Sequence, residues 1–245
     1  MPSGPDSEPF PSPRERRERN REQVVAAILE AARGVMRERG VAGLSLREVA
    51  RRVGMQAPSL YEYFPSKAAL YDALFLLAIR RFGARMDGLT PGEDSFWGRL
   101  RLHFEAYMAF AKEHPELYQL AFERPVPGFV PSEASMAESA AELAAYYRLF
   151  AEAIDRGEID PGVSARQAGD LANAMMHGLT SQHMANEPEV PLGSGRYGSL
   201  VPAALALFRA SWESREPRAT GTGGSSGHPG RLRRQEGGSE TNPDT

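Results

Sequence analysis

Along most of this chain, apolar residues recur every three to four positions, and no convincing stretch alternates apolar and polar residues as a half-buried strand does. The pattern predicts an all-α protein of about nine helices. The first is expected over residues 21–39. There Val24, Ile28, Ala31, Ala32 and Val35 make one stripe, Val25, Leu29 and Met36 widen it, and Gly40 closes it. Two short helices follow. Ser45 and Glu48 have capping-box spacing, with hydroxyl and carboxylate each holding the other's backbone N–H. Leu46, Val49, Ala50 and Val53 then recur at helical spacing, and Gly54 ends the helix as a residue free to take positive φ. After the turn Met55-Gln56-Ala57, Pro58 sits where a first helical residue can lack an N–H. Leu60 and Phe64 turn inward, while Ser59, Tyr61, Glu62 and Tyr63 occupy the other faces. Pro65 stops this helix, Ser66 caps the next, and Lys67 lies in its first turn.

The helix over 66–86 is apolar on two sides, through Leu70, Ala73, Leu74, Leu77, Ile79, Phe82 and Met86. Such a helix is sandwiched. It is expected to pack on the N-terminal unit at its start and on a second domain further along, as a lever between them. Beyond a turn cluster at 87–94 comes a helix carrying Trp97, Leu100, Phe104, Tyr107 and Met108, which His114-Pro115 breaks. A short helix, a loop with three prolines at 124–131, and helices over 132–156, 164–185 and 199–214 complete the pattern. The last two are too apolar for a single buried stripe, which predicts a second copy of the chain packed against them; the alternative is burial within one subunit. The organisation is a disordered or basic segment at 1–20, a three-helix unit at 21–67, a helical domain at 68–214, and a disordered tail at 215–245.

Composition narrows the picture. Hydrophobic residues make up 41% of the chain, enough for a well-buried core, and cysteine is absent, which excludes a disulfide framework and Cys-based zinc sites. The longest apolar run, residues 73–79, is far too short to span a bilayer, and the N-terminus lacks the apolar core of a signal peptide. We expect a soluble cytoplasmic protein, with no membrane partner. The net charge of −3 hides an asymmetry: residues 14–67 hold eleven Arg and one Lys against seven Glu, a surplus of +5 that leaves −8 for the remainder. A basic N-terminal third on an acidic body is the footprint of a protein that meets DNA at one end; its plain alternative is a solvated face of mixed charge. Residues 14–21 read as a basic arm or as an exposed helical start, and the interleaved Glu15 and Glu18 favour the latter.

By spacing alone, residues 45–67 are a helix-turn-helix or an ordinary αα-hairpin. The residue types go further. The run G-x-x-x-x-S-L-Y-x-Y-F-x-S-K-x-x-L from Gly54 to Leu70, together with Ala31-Ala32, Gly40 and Leu44-Ser45, resembles the signature of TetR-family bacterial transcriptional regulators over residues 20–75. Gly34 inside the first helix, and Val35-Met36 where the family favours Leu-Phe, depart from it.

The resemblance implies a homodimeric, ligand-responsive repressor. Two recognition helices, here residues 58–64, would enter successive major grooves of a double-stranded DNA operator, and a small-molecule effector would change their spacing. Carried onto this chain, Tyr61 meets a thymine methyl or a phosphate. Gln56, Ala57 and Pro58 stand where bases are read, Gln56 being suited to adenine N6 and N7. Arg47 is a candidate for guanine or phosphate, and Ser45, Ser59, Tyr63 and Lys67 are candidate phosphate clamps. Each has a plain alternative: Tyr61 packed on the first helix, Arg47 as a solvated helix residue. Candidate ligand contacts are Trp97, Phe104, Tyr107, Tyr118, Phe122, Tyr147, Phe150, Met175, Met176 and His177, although by physics alone such positions are more often plain core. An apolar cavity with few polar groups suits a lipophilic or aromatic molecule. Neither a cofactor nor an enzymatic activity is expected. His177 and His183 are six apart and do not share a helix face, and neither a phosphate loop nor a nucleophile elbow is present. A purely structural helical dimer would explain the apolar final helices but not the basic first third.

Overall fold

The computed structural model describes residues 12–89 and 95–213. The disorder expected for residues 1–11 and for the tail, part of the 87–94 turn cluster, and the basic run at 231–234 lie outside the described residues. Helices α1 (Pro13–Arg39), α2 (Leu46–Arg52), α3 (Ala57–Tyr61), α4 (Lys67–Asp87), α5 (Phe96–Glu113), α6 (Pro115–Tyr118), α7 (Glu133–Asp155), α8 (Ala165–Asn186), α9 (Gly195–Gly198) and α10 (Val201–Trp212) make up the fold. Nine of these are the expected ones, and α9 adds a single turn. Among the described residues there is no strand, only an isolated antiparallel bridge between Ile159 and Glu213.

α1 starts eight residues before the expected position. Ser12 accepts a hydrogen bond from the Glu15 N–H at 3.3 Å, and the Glu15 carboxylate accepts from the Ser12 N–H at 2.6 Å. With Pro13 at the first turn, this is a complete capping box. The added turns are exposed and carry no apolar stripe, so periodicity could not find them.

The capping box expected at Ser45 is only half formed. The Ser45 hydroxyl accepts from the Glu48 N–H at 3.5 Å, but the Glu48 carboxylate turns to Arg51 (2.8 and 3.0 Å) and Arg52 (3.0 Å) instead of back to Ser45. Arg52 also reaches Glu38 on α1. Gly34 makes room for this crossing: a Cβ there would stand 3.0 Å from the Arg52 guanidinium. The helix-weakening glycine thus admits an ion pair that ties α2 to α1.

α3 is shorter than the expected 58–64. Tyr63 and Phe64 both donate their N–H to the Leu60 carbonyl, at 3.0 and 2.9 Å, which closes the helix into a turn before Pro65. Leu60 and Phe64 still anchor it, in a core with Ile28, Ala32, Val35, Met36 and Val49.

The Ser66 hydroxyl caps α4, accepting from the Ala69 N–H at 3.0 Å. The start of α4 buries Leu70, Tyr71 and Leu74, and the Tyr71 hydroxyl donates to the Val41 carbonyl at 2.7 Å. Further along, Arg80 pairs with Glu138 of α7, and Asp72 accepts from the backbone and hydroxyl of Ser132. A second tie runs from α1 to α6. Arg33 donates to Glu116 at 2.8 Å, and both are nearly sealed from solvent, 5% and 2% exposed. Arg37 also reaches Glu116, at 3.3 Å, and His114 lies 3.2 Å from Arg33. α6 runs directly into a π-helical turn, Gln119–Glu123, and Arg124 breaks it with a positive φ of 49°.

α5 forms the centre of the C-terminal half, with α7, α8 and α10 against it. α7 and α8 approach closely because Gly169 leaves space for the Tyr147 ring, 2.7 Å from where a Cβ would stand. Phe208 and Trp212 stack at 4.4 Å, and the Trp212 carbonyl accepts from the Asp160 N–H. No helix among the described residues is long and apolar enough to cross a membrane.

Candidate DNA-binding face and ligand cavity

The α2–α3 unit presents one side to its core and the other to solvent. Leu60 is fully buried, while the adjacent Tyr61 is 50% exposed. Gln56 and Pro58 are exposed beside it, and Ala57 and Ser59 are half-buried. Arg47, in the first turn of α2, is exposed and makes no ion pair among the described residues. Arg47, Gln56, Pro58 and Tyr61 therefore have their polar or planar groups available to a partner.

The other expected contacts are partly engaged. The Ser45 hydroxyl caps α2. The Lys67 ammonium donates to the Ala42 carbonyl at 3.2 Å and lies 5.4 Å from the centre of the Tyr71 ring. Tyr63 is half-buried beneath the Arg21 guanidinium, 5.1 Å from its ring centre. Arg21, the last residue of the basic run at 14–21, thus lies on a helical α1 against this face. Arg51 and Arg52 are committed to Glu48, whose carboxyl they pull down to about 2.

The second feature is a cavity of about 490 Å³ between α4, α5, α7, α8 and the π turn. Of the expected ligand residues it brings together Tyr107, Phe122, Met176 and His177. Tyr118 stands behind them: its hydroxyl and that of Tyr107 lie 3.2 and 3.0 Å from His177 Nδ1. The two hydroxyls and the imidazole nitrogen form one polar cluster at this end of the cavity. Burial pushes both phenols above their ordinary range, keeping them neutral donors.

Four expected contacts lie elsewhere. Phe104 and Phe150 are fully buried core, Phe150 packing edge-on to Phe96 at 5.1 Å. Trp97 packs on Phe96 at 4.9 Å, and the Tyr147 hydroxyl donates to Asp170. Helical spacing identifies aromatic residues but not which side of a buried helix meets empty space. Met175 also falls outside the lining.

The cavity adds residues that sequence reasoning missed: His103, Tyr146, Glu142, Asp87, Phe82 and Asn173. A signal existed. Phe82 and Met86, His103 and Tyr107, Glu142 and Tyr146, and Asn173 and His177 are each four apart, so every helix contributes one face. His103 Nδ1 donates to the Arg99 carbonyl at 2.9 Å, which leaves Nε2 as an acceptor, and burial holds the imidazole below its ordinary range. Burial pushes the Tyr146 phenol up, and its hydroxyl has no hydrogen-bond partner among the described residues. The Glu142 carboxyl is raised by desolvation first, then by Asp87 and Glu138.

An exposed helix-turn-helix braced by α1, joined through one helix to a cavity-bearing helical domain, defines a class of one-chain DNA-binding regulators with a built-in ligand space. Residues 28–74 match the model described as bacterial regulatory proteins, tetR family, and residues 100–194 match the tetracycline repressor-like C-terminal domain; together they cover more than half of the chain. The protein belongs to the TetR family of transcriptional regulators. It is 29% identical over 142 residues to the HTH-type transcriptional regulator Rv1816 of Mycobacterium tuberculosis, a match covering 57% of this chain and 61% of that relative's length. A solved structure of unknown function from Rhodococcus sp. RHA1 is similar at 26% identity and a TM-score of 0.67, over 78% of this chain and 95% of that one. FadR from Bacillus subtilis, solved in complex with stearoyl-CoA, shares the fold at 18% identity and a TM-score of 0.61, over 76% of this chain and 97% of that one.

Proposed function

We propose that the protein is a homodimeric repressor that reads a near-palindromic operator with α3 and releases it when a small molecule fills the cavity. The single observation that carries this reading is the course of α4. One unbroken helix of 21 residues starts at Lys67, six residues after the end of α3, and carries Ile79, Phe82 and Met86 in the cavity wall. At 1.5 Å per residue it spans about 30 Å. A ligand that shifts its far end therefore acts on the frame of the recognition helix. The division of labour is residues 21–67 for DNA and residues 68–214 for ligand and dimer.

The exposed Arg47, Gln56, Pro58 and Tyr61 supply base-reading chemistry, with Ala57 at the same edge; Ser59, Tyr63 and Lys67 supply positioning contacts. Dimerisation is supported by the outer faces of α8 and α10. Leu171 and Leu207 are 58% and 63% exposed, and the small residues Ala174, Gly178, Ala206 and Ala210 lie exposed on the same helices. Large apolar side chains beside small ones invite close helix packing against a second copy. A chromosomal target places the work in the cytoplasm, with double-stranded DNA, the effector and a second copy as partners. Nothing in the reading calls for catalysis or a cofactor.

The test is a footprint on the DNA upstream of the protein's own gene at fixed salt, with Tyr61→Ala as control. A protected near-palindrome that disappears in the variant supports the reading. Equal retention of both proteins on every sequence tested would sink it.

A further inference from the structure

The charged inventory of the cavity is one-sided. Its wall carries two carboxylates, Asp87 and Glu142, and neither lysine nor arginine. Neither carboxylate has an ion-pair or hydrogen-bond partner among the described residues, although their neighbours are matched: Glu138 is paired with Arg80, and Glu113 with Arg85. The field at Glu142 comes from Asp87 and Glu138, both negative. Asp87 is also the last residue of α4, where the unsatisfied carbonyls already concentrate negative charge. An acid there is the wrong sign for the helix unless a cation joins it.

The carboxylate of Glu142 has a place made for it. Gly83, buried one turn before the end of α4, has no Cβ, and one placed there would collide with the Glu142 carboxyl. A glycine inside a long helix costs about 1 kcal/mol relative to alanine. Here it lets an acid lie against the helix at the cavity wall. The same cavity is lined by the rings of Phe82, Tyr107, Phe122 and Tyr146, and aromatic faces attract cations. His103 adds another acceptor through Nε2, since its Nδ1 is occupied by Arg99. Two unmatched carboxylates, Asp87 exposed at the mouth and Glu142 half-buried, with a helix C-terminus, the His103 acceptor and an aromatic wall, all favour the same charge.

The geometry points to an effector that is an organic cation: a protonated amine or quaternary ammonium on an aromatic or alkyl body small enough for about 490 Å³. The amine meets Asp87 and Glu142, and the body lies among the rings toward Met176 and Phe122. An anionic acyl compound finds no basic side chain in this wall. The assignment rests on the cavity being the effector site.

Three probes with one skeleton test it: 6-phenylhexylamine, 6-phenylhexan-1-ol and 6-phenylhexanoate, titrated into the full chain by calorimetry at pH 7 and fixed salt. The amine is expected to bind at least about tenfold tighter than the alcohol, and the carboxylate weakest. Glu142→Gln and Asp87→Asn should each reduce the amine's advantage and leave the alcohol's affinity unchanged. Gly83→Ala favours the helix yet displaces Glu142, and should weaken the amine without loss of folding. A carboxylate bound as tightly as the amine overturns the proposal. So does an amine advantage that survives in the Asp87→Asn/Glu142→Gln double variant, or an amine that does not bind at millimolar concentration. Operator release is read separately by fluorescence anisotropy. Charge-selective binding that leaves DNA affinity unchanged upholds the ligand assignment and refutes the repressor reading beneath it.

Discussion

Glu48 and Glu142 are the same residue in two regions, and their environments push them in opposite directions. Glu48 lies between Arg51 and Arg52 on α2, whose hydrogen bonds hold its carboxyl down at about 2. Glu142 lines the cavity, where desolvation and two neighbouring acids raise it. The DNA-reading unit settles its internal charges with its own residues, so α2 and α3 form a finished frame presenting Arg47, Gln56 and Tyr61 outward. The cavity leaves its charges open. One region matches its charges internally, and the other, on the proposed reading, awaits a cation.

The junction between the two regions should give the largest effect when broken. Removing Glu116 by Glu116→Ala takes the buried acceptor from the Arg33 guanidinium, leaving it only the more exposed Glu30, and is expected to cost about 3 kcal/mol in denaturant unfolding. The double variant Arg33→Met/Glu116→Leu should recover most of that loss while weakening the coupling between ligand and DNA.

Within the DNA-reading unit, neighbouring residues should separate stability from function. Leu60→Ala opens the core and should cost about 2–5 kcal/mol. Tyr61→Ala should leave stability within about 0.5 kcal/mol and lower operator affinity at least about tenfold, as read by anisotropy. Lys67→Ala should weaken binding uniformly across sequences and flatten the salt slope by about one unit.

The smallest effects follow from the two glutamates and are read from the unfolding midpoint against pH. For Glu48 the folded value lies below the unfolded one, about 4.3. Its stabilising contribution is complete above that value and is lost as pH falls toward about 2. Glu142 has the reverse sign: its folded value is raised, so its contribution is present at acid pH and lost as pH rises through that folded value. At pH 7, Glu48→Gln should therefore lower the midpoint, while Glu142→Gln should leave it unchanged or slightly higher.

How much of this was legible depended on how far apart the contributing residues lie. The α2–α3 face comes from one contiguous stretch, so its caps, its glycine at φ 68° and its inward Leu60 and Phe64 could be read directly. The misses there are side-chain choices: Glu48 preferring arginines to its own cap, and Gly34 yielding to Arg52. The start of α1 escaped notice because exposed helix has no apolar period; Ser12, Pro13 and Glu15 were the available signal. The cavity is assembled from four long helices and a π turn. Tyr107, Phe122, Met176 and His177 were found because aromatic and polar residues stand out within apolar stripes. Glu142 and Asp87 were not, because an acid on a helix ordinarily faces water: Asp87 does so at the cavity's mouth, while the packing of α7 on α4 holds Glu142 half-buried against Gly83.

The most direct test of a finished face coupled to an unfinished cavity is the affinity of 6-phenylhexylamine measured with and without saturating operator. Binding linkage is reciprocal, so the operator should weaken the amine by the same factor by which the amine weakens the operator. A ligand affinity indifferent to bound operator would mean that the cavity and the DNA-reading face, though joined by α4, do not communicate.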